Sequence, residues 1–261
     1  MPLSPQSSSL GLEVYKGPWT KQTTTHLLNR VLFGAKQAEI QEFLAKGLNA
    51  SVTALLNPTD PIPSPPLNEY NTATVIDPAV APGATWINQP TNDGTINALR
   101  RNSYKKWLTG VMIHQDISIR EKMTLFWGNH FGTEADTISF GNYVYQHHDT
   151  LRKNALGNYK TMVKAITIDP GMLRYLNGYL NSATAPDENY GRELQELYTV
   201  GKDNTVQYSE SDVKAAARVL TGWRINANFT SYFDAARHDT GSKQFSSYYN
   251  NKVITGKSGA A

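Results

Sequence analysis

The sequence contains no cysteine. Disulfides, thiolate metal sites and a cysteine nucleophile are therefore excluded, stability must come from packing, and any metal would need His, Asp or Glu ligands. Long apolar runs are missing too. Nowhere do the roughly 18 uninterrupted apolar residues needed to span a bilayer occur, so no transmembrane segment is expected. The opening MPLSPQSSSL has neither the basic nor the apolar stretch of a secretory leader, so an exported parent protein would have had its leader removed or replaced. Charge is sparse, at 18% of residues, and the 25 basic and 22 acidic side chains are spread along the chain for a net +3. Without a basic block, nucleic-acid binding has no support. The signatures HExxH, GxSxG and GxGxxG are absent. Gly256-Lys257-Ser258 resembles the end of a phosphate loop, but the earlier glycine position is Asn251 and neither a strand nor a helix frames it.

What replaces charge is Asn, Thr, Ser, Gly and Tyr, a composition that suits an envelope or extracellular protein. Residues 1–18 are Ser/Pro/Gly-rich and are expected to be flexible. Residues 19–261 are expected to form a single helical domain. The threonines from Thr20 to Thr25 can cap a helix carrying Leu28 and Leu32, and Ile40 with Phe43 and Leu44 mark a second helix ending at Gly47. Val52, Leu55 and Leu56 mark a third. Residues 57–92 carry eight prolines, which bar regular helix and predict one long loop. Beyond it the spacing predicts a helix from Ile96, with Leu99, Trp107 and Leu108 inward and Arg100, Arg101, Lys105 and Lys106 toward water. Further helices are predicted over 118–131, over 140–155, and from Tyr159 to the Asp169-Pro170 stop. Another enters at Ala185-Pro186-Asp187-Glu188 and ends at Gly201, and Ser209 with Asp212 forms a capping box for one more. After Trp223 the pattern favours short strands or extended chain. The expected fold is mainly α, an irregular multi-helical domain with a Pro-rich loop and a minor β segment near the C-terminus.

The blocks HLLNRVLFG, REKMTLFWGNHF, LRKNALGNYK with IDPGMLRYLN, PDENYGRELQELYTVG, YSESDVKAAARVLTGW and RHDTGSK, in that order over roughly residues 20 to 256, resemble the bacterial family catalogued as domain of unknown function 1800 (DUF1800). The resemblance brings no activity with it. It implies a longer parent of which this chain is the N-terminal part, association with a sulfatase-like uncharacterised family, and export. Where many relatives carry His or Arg before Ala-Leu-Gly this chain has Lys153-Asn154, so no catalytic role is assigned there.

Within the helix starting at Glu188, Tyr190, Leu194 and Leu197 define the expected buried face, with Glu193 about 60° off it and Asn189 and Glu196 further round the same flank. Two carboxylates on one edge could bind a metal or serve as acid and base, and Arg192 could orient an anion. The competing reading is structural, with Arg192 bridging Glu188 and Glu196 at i,i+4. His238 and Asp239, with Gly241 and Lys243, form a second polar cluster suited to base or ligand work, or else an Asx-capped turn. His130 sits on an apolar stripe beside Trp127, as a ligand or as a core histidine. His147 and His148 are expected to be solvated.

Two functions follow. The leading one is an envelope-associated or secreted enzyme, with hydrolysis as the least committed class. Glu193 or Glu196 would act as acid, base or metal ligand, His238 as base, and Arg192 and Asp239 as supporting groups, with Glu188, Asn189, His130 and Lys243 contacting the ligand. The alternative is a noncatalytic envelope binding or assembly protein that recognises glycan or protein through exposed aromatics, among them Trp19, Tyr70, Trp86, Tyr248 and Tyr249. Neither a cofactor nor an oligomeric state can be assigned from the residues.

Overall fold

Short polar side chains open most of the helices. A computed structural model describes residues 13–59, 61–115, 117–203 and 208–255. The first twelve residues of the N-terminal segment, and Gly256-Lys257-Ser258, lie outside the described residues. Helix α1 (Lys21–Val31) begins in a reciprocal capping box, with Thr20 Oγ1 accepting from the Thr23 amide at 3.3 Å and Thr23 Oγ1 from the Thr20 amide at 2.9 Å. α2 (Gln37–Lys46) stops at Gly47 as predicted, and α3 (Leu48–Leu56) starts at the next residue. Asp93 caps α4 (Gly94–Ile113), its carboxylate accepting from the amides of Thr95 and Ile96. There follow α5 (Arg120–His130), the short α6 (Ala135–Ile138), α7 (Gly141–Asn154), α8 (Tyr159–Thr167) and α9 (Pro170–Tyr175), the last capped by Asp169. α10 (Glu188–Glu193) runs directly into a π-helical turn, Leu194–Thr199. α11 (Glu210–Val219) carries the expected box, in which Asp212 accepts from the Ser209 amide at 2.7 Å.

Near the C-terminus β1 (Trp223–Ile225) pairs antiparallel with β2 (Ser231–Phe233), and β3 (Ser242–Gln244) with β4 (Val253–Thr255). The described chain is therefore mainly α with a minor β part, as the sequence predicts. Three apolar clusters hold it. Leu28, Leu32, Ile40, Phe43 and Leu55 join α1 to α3. Phe131, Leu151, Met162, Ile166, Met172, Tyr190 and Tyr198 join α7 to α10 and its neighbours. Trp86, Tyr104, Ile138, Tyr143, Val144 and Tyr145 bind the long loop to α4 and α7.

The loop has almost no ladder of its own, beyond an isolated bridge between Leu67 and Thr85. Its backbone groups are instead taken by side chains, which is what a buried irregular segment requires. Asn68 is buried and donates to the Val80 carbonyl at 2.7 Å, Ser103 to Leu67, Trp107 to Ser64, and Asn142 to both Trp86 and Ile87.

Arg100 gathers this arrangement together. The spacing predicts it on the watery side of α4, but it is 0% exposed. Its guanidinium donates twice to Asp77 Oδ2, at 2.9 and 2.7 Å, and also to the Gln89 carbonyl and Asn142 Oδ1. Tyr70 donates to the same Asp77 oxygen at 2.7 Å. Burial alone would raise the Asp77 carboxyl, but the hydrogen bonds from Tyr70 and Arg100 outweigh it and hold Asp77 below its ordinary value. Helical periodicity cannot see a partner that arrives from a loop, and so it put Arg100 outside. Gly141 makes the approach of α7 feasible, because a Cβ there would stand 2.7 Å from the Arg100 Cβ.

Trp86 is likewise fully buried rather than an exposed contact, and Tyr70 is half-buried. The expectation of solvated His147 and His148 also fails, since both lie inside. His147 spans Asp169 (2.9 Å) and the Phe131 carbonyl (3.2 Å). Burial, with the nearby Arg152 charge, pushes His148 down to about 3.

Replacing Arg100 with Met leaves Asp77 buried without its counter-charge, which costs about 3–5 kcal/mol in equilibrium denaturation. The Arg100→Met/Asp77→Asn double variant recovers part of that loss. A cost under about 1 kcal/mol for the single change would show that the pair does not hold the loop.

Candidate functional site

The helix beginning at Glu188 has two windings. Asp187 caps it, accepting from the Asn189 amide at 2.9 Å, and Gly191 lets it lie against α11, where a Cβ would meet the Ala217 nitrogen at 2.9 Å. After Glu193 the i→i+5 winding rotates the later residues away from the 3.6-residue face. The buried positions become Tyr190, Gly191, Gln195 and Tyr198, and Leu197, expected inside, is 60% exposed.

Arg192 lies among three carboxylates. It donates to Glu210 at 2.8 and 2.6 Å and to Glu188 at 3.3 Å, and Glu196 is 3.7 Å away. Hydrogen bonding from Arg192 lowers the Glu210 carboxyl, and the same bonds raise Arg192. Lys202 contacts both oxygens of Glu196 at 2.9 Å. Asn189 donates to the Leu176 carbonyl at 3.4 Å. Glu193 is half-buried and has neither an ion pair nor a hydrogen bond among the described residues. Burial first and the Glu193 carboxylate second push the neighbouring Tyr198 hydroxyl up to about 12.

His130 reaches the far end of the same helix. Its Nε2 lies 2.9 Å from Tyr159 Oη and 3.2 Å from the Tyr198 carbonyl, which also accepts from Tyr159. Its ring stands edge-on to those of Trp127, Phe131 and Tyr198.

The second cluster is separate. His238 is buried, with Nδ1 2.8 Å from the Thr221 carbonyl and its ring against Phe233. Asp239 accepts from Arg218 at 2.6 and 3.2 Å and from the Gly241 amide at 2.8 Å. Lys243 is 0% exposed, donates to the Asp239 carbonyl, and keeps its ammonium 3.7 Å from the Asp239 carboxylate. Burial lowers Lys243, while the Arg218 hydrogen bonds hold Asp239 down to about 2. Among the described residues no hydrogen bond or ion pair joins His238, Asp239 or Lys243 to Glu188, Asn189, Arg192, Glu193 or Glu196. Both groups touch α11, one through Gly191 and the other through Arg218. No group of three or more His, Asp or Glu side chains among the described residues is arranged to hold a metal ion.

A further concave surface lies elsewhere. A groove of about 900 Å³ runs between the Pro-rich loop and α4, lined by Pro66, Glu69, Tyr70, Asn71, Asn102, Lys105 and Trp107 among others. The sequence marks Tyr70 as a contact residue and turns Trp107 inward, and Trp107 does pack against the core cluster while its other side lines the groove. Nothing in the periodicity of α4 marks Asn102 as facing a groove.

A fold of mainly α type bearing these blocks in this order can be compared with known families. The profile described as a protein of unknown function (DUF1800) matches residues 26–257. The chain belongs to the DUF1800 family. No curated protein and no solved structure matches it. The DUF1800 match takes in α2 to α11 and both hairpins, so the groove and the two polar clusters are all family territory.

Asp239 supplies a pH test. Its folded value of about 2 lies below the ordinary 3.8, so its contribution to stability is complete above about pH 4 and is lost as pH falls toward 2. Asp239→Asn should lower the melting temperature at neutral pH, and the gap from the wild type should close between pH 4 and 2. A gap that persists unchanged at the acid end would mean that Asp239 acts through something other than its charge.

Proposed function

We propose that this chain is a noncatalytic glycan-binding protein that uses the groove between the Pro-rich loop and α4. The observation that carries this reading is the contrast between the two kinds of surface. Most of the candidate catalytic groups are already engaged by other protein groups: Arg192 by three carboxylates, Asp239 by Arg218 and Lys243, and His238 by Thr221. The Asp239 carboxylate held this way would have to break its ion pairs before it could react, and His238 is held through Nδ1 alone.

The groove, by contrast, has the size of a ligand site and presents polar groups with no protein partner. The side chains of Glu69 and Asn102 are exposed there and make no hydrogen bond among the described residues. Carboxylate and amide groups beside Tyr70 and Trp107 suit a sugar, whose ring carries hydroxyls at its edge and C–H groups on its faces. The Asn-, Thr- and Ser-rich composition favours a setting in the cell envelope or outside the cell, where such polymers occur.

The test is calorimetric titration with a panel of soluble neutral and acidic glycans, followed by chromatography of the recovered sugar. At least one glycan should bind and be recovered intact. Asn102→Ala with Glu69→Gln should weaken it about tenfold or more at unchanged melting temperature, the scale of one or two hydrogen bonds. Cleavage of the glycan, or binding indifferent to both substitutions, would overturn the proposal.

A further inference from the structure

We infer that the ligand is a linear acidic polysaccharide lying along α4 and filling two hollows rather than one, an inference that rests on the glycan-binding reading above. A second hollow of about 490 Å³ adjoins the groove and is lined by Pro61, Ile62, Gly110, His114, Gln115 and Glu121. Ser64 and Trp107 line both hollows, and the Trp107 Nε1 bond to the Ser64 carbonyl at 2.7 Å is their shared partition. Between Leu99 in the first hollow and Val111 in the second, α4 advances about 18 Å at 1.5 Å per residue, a length that calls for several sugars in line.

The far hollow has a specific demand. Gln115 Oε1 is shielded from solvent and has no donor, a deficit that a ligand hydroxyl or amide N–H would remove once the side chain turns into the hollow. The charge of Glu121 in that hollow is already met by Arg152, which donates to both carboxylate oxygens at 2.7 and 3.0 Å. In the near hollow, Lys105 and Lys106 are exposed and form no ion pair among the described residues, against the single carboxylate of Glu69. The track therefore carries net positive charge, which attracts a polymer bearing carboxylates.

The wall above α4 argues against a peptide. Pro61, Pro63, Pro65 and Pro66 have no N–H to give to a ladder. The carbonyls of Pro61, Ser64, Pro66 and Leu67 already accept from Arg120, Trp107, Thr85 and Ser103. An added strand would meet a ladder interrupted at four missing donors and four occupied acceptors, whereas a sugar chain needs no backbone register.

The experiment titrates the whole chain with oligogalacturonates from dimer to hexamer and with cello-oligomers of the same lengths, at low and high salt. Affinity should rise about tenfold or more from acidic dimer to acidic hexamer, exceed that of the neutral series, and fall with salt. Lys105→Gln/Lys106→Gln should abolish the preference for the acidic series while leaving neutral binding. Gln115→Ala should weaken the hexamer and spare the dimer. A hexamer bound no better than a dimer would overturn the two-hollow track, and equal binding of the two series would overturn the acidic ligand. In either case the glycan-binding reading survives. No binding by any oligomer of either series would count against that reading itself, and the track would fall with it.

Discussion

One buried guanidinium decides whether a proline-rich segment becomes a wall or a tether. Arg100 is fixed by α4, and through Asp77, Tyr70, Gln89 and Asn142 it binds the two arms of the loop to each other and to α7. Without it the prolines would still prevent helix and sheet, and Asp77 would lie buried with no counter-charge while the loop kept only its apolar contacts around Val80 and Trp86 to offset its entropy. With it, and with Trp86 in the apolar core and Trp107 and Ser103 bonded to the Ser64 and Leu67 carbonyls, the segment from Pro61 to Thr72 is held across α4. The groove exists because that strap has a fixed position.

Buried charge recurs as the joining device. Arg152 and Glu121 tie α7 to α5, Lys243 with Arg218 holds the C-terminal hairpin on α11 through Asp239, and the Asp169 carboxylate joins the start of α9 to α7 by a hydrogen bond with His147. Such pairs gain little net stability over apolar residues of the same volume, yet removing one partner is expensive, so they enforce which elements meet. The same logic bears on the conspicuous PDENYGRELQEL block. Its Arg192 also pairs across to Glu210 at the start of α11, in a more exposed setting, and Gly191 lets the two helices lie close.

How far the sequence reveals this depends on the range of the interaction. Caps and stops are local, and Thr20 with Thr23, Asp169-Pro170 and Ser209 with Asp212 all act where the sequence predicts. The family, too, is legible from its blocks. Burial of polar residues is not local. Arg100, His147 and His148 look like surface residues until a distant segment covers them, and Leu197 looks buried until the π turn shifts the face. The groove is the least legible feature, because its lining comes from a loop without periodicity and from the flank of α4. Tyr70 stands out for its place in the loop, whereas Asn102 and Gln115 carry no signal in the sequence.

The most direct test of the loop as a fixed wall is amide hydrogen exchange on the unliganded protein, resolved across residues 61–92. Asn68, Thr72 and Gly83 donate their amides within the loop, to Ala84, Val75 and Asn68. Their exchange should be slowed toward that of the α4 amides and should speed up together in Arg100→Met. Exchange of these three amides at the rate of an unstructured chain in the wild type would contradict the account, because a mobile strap cannot form one side of a binding groove.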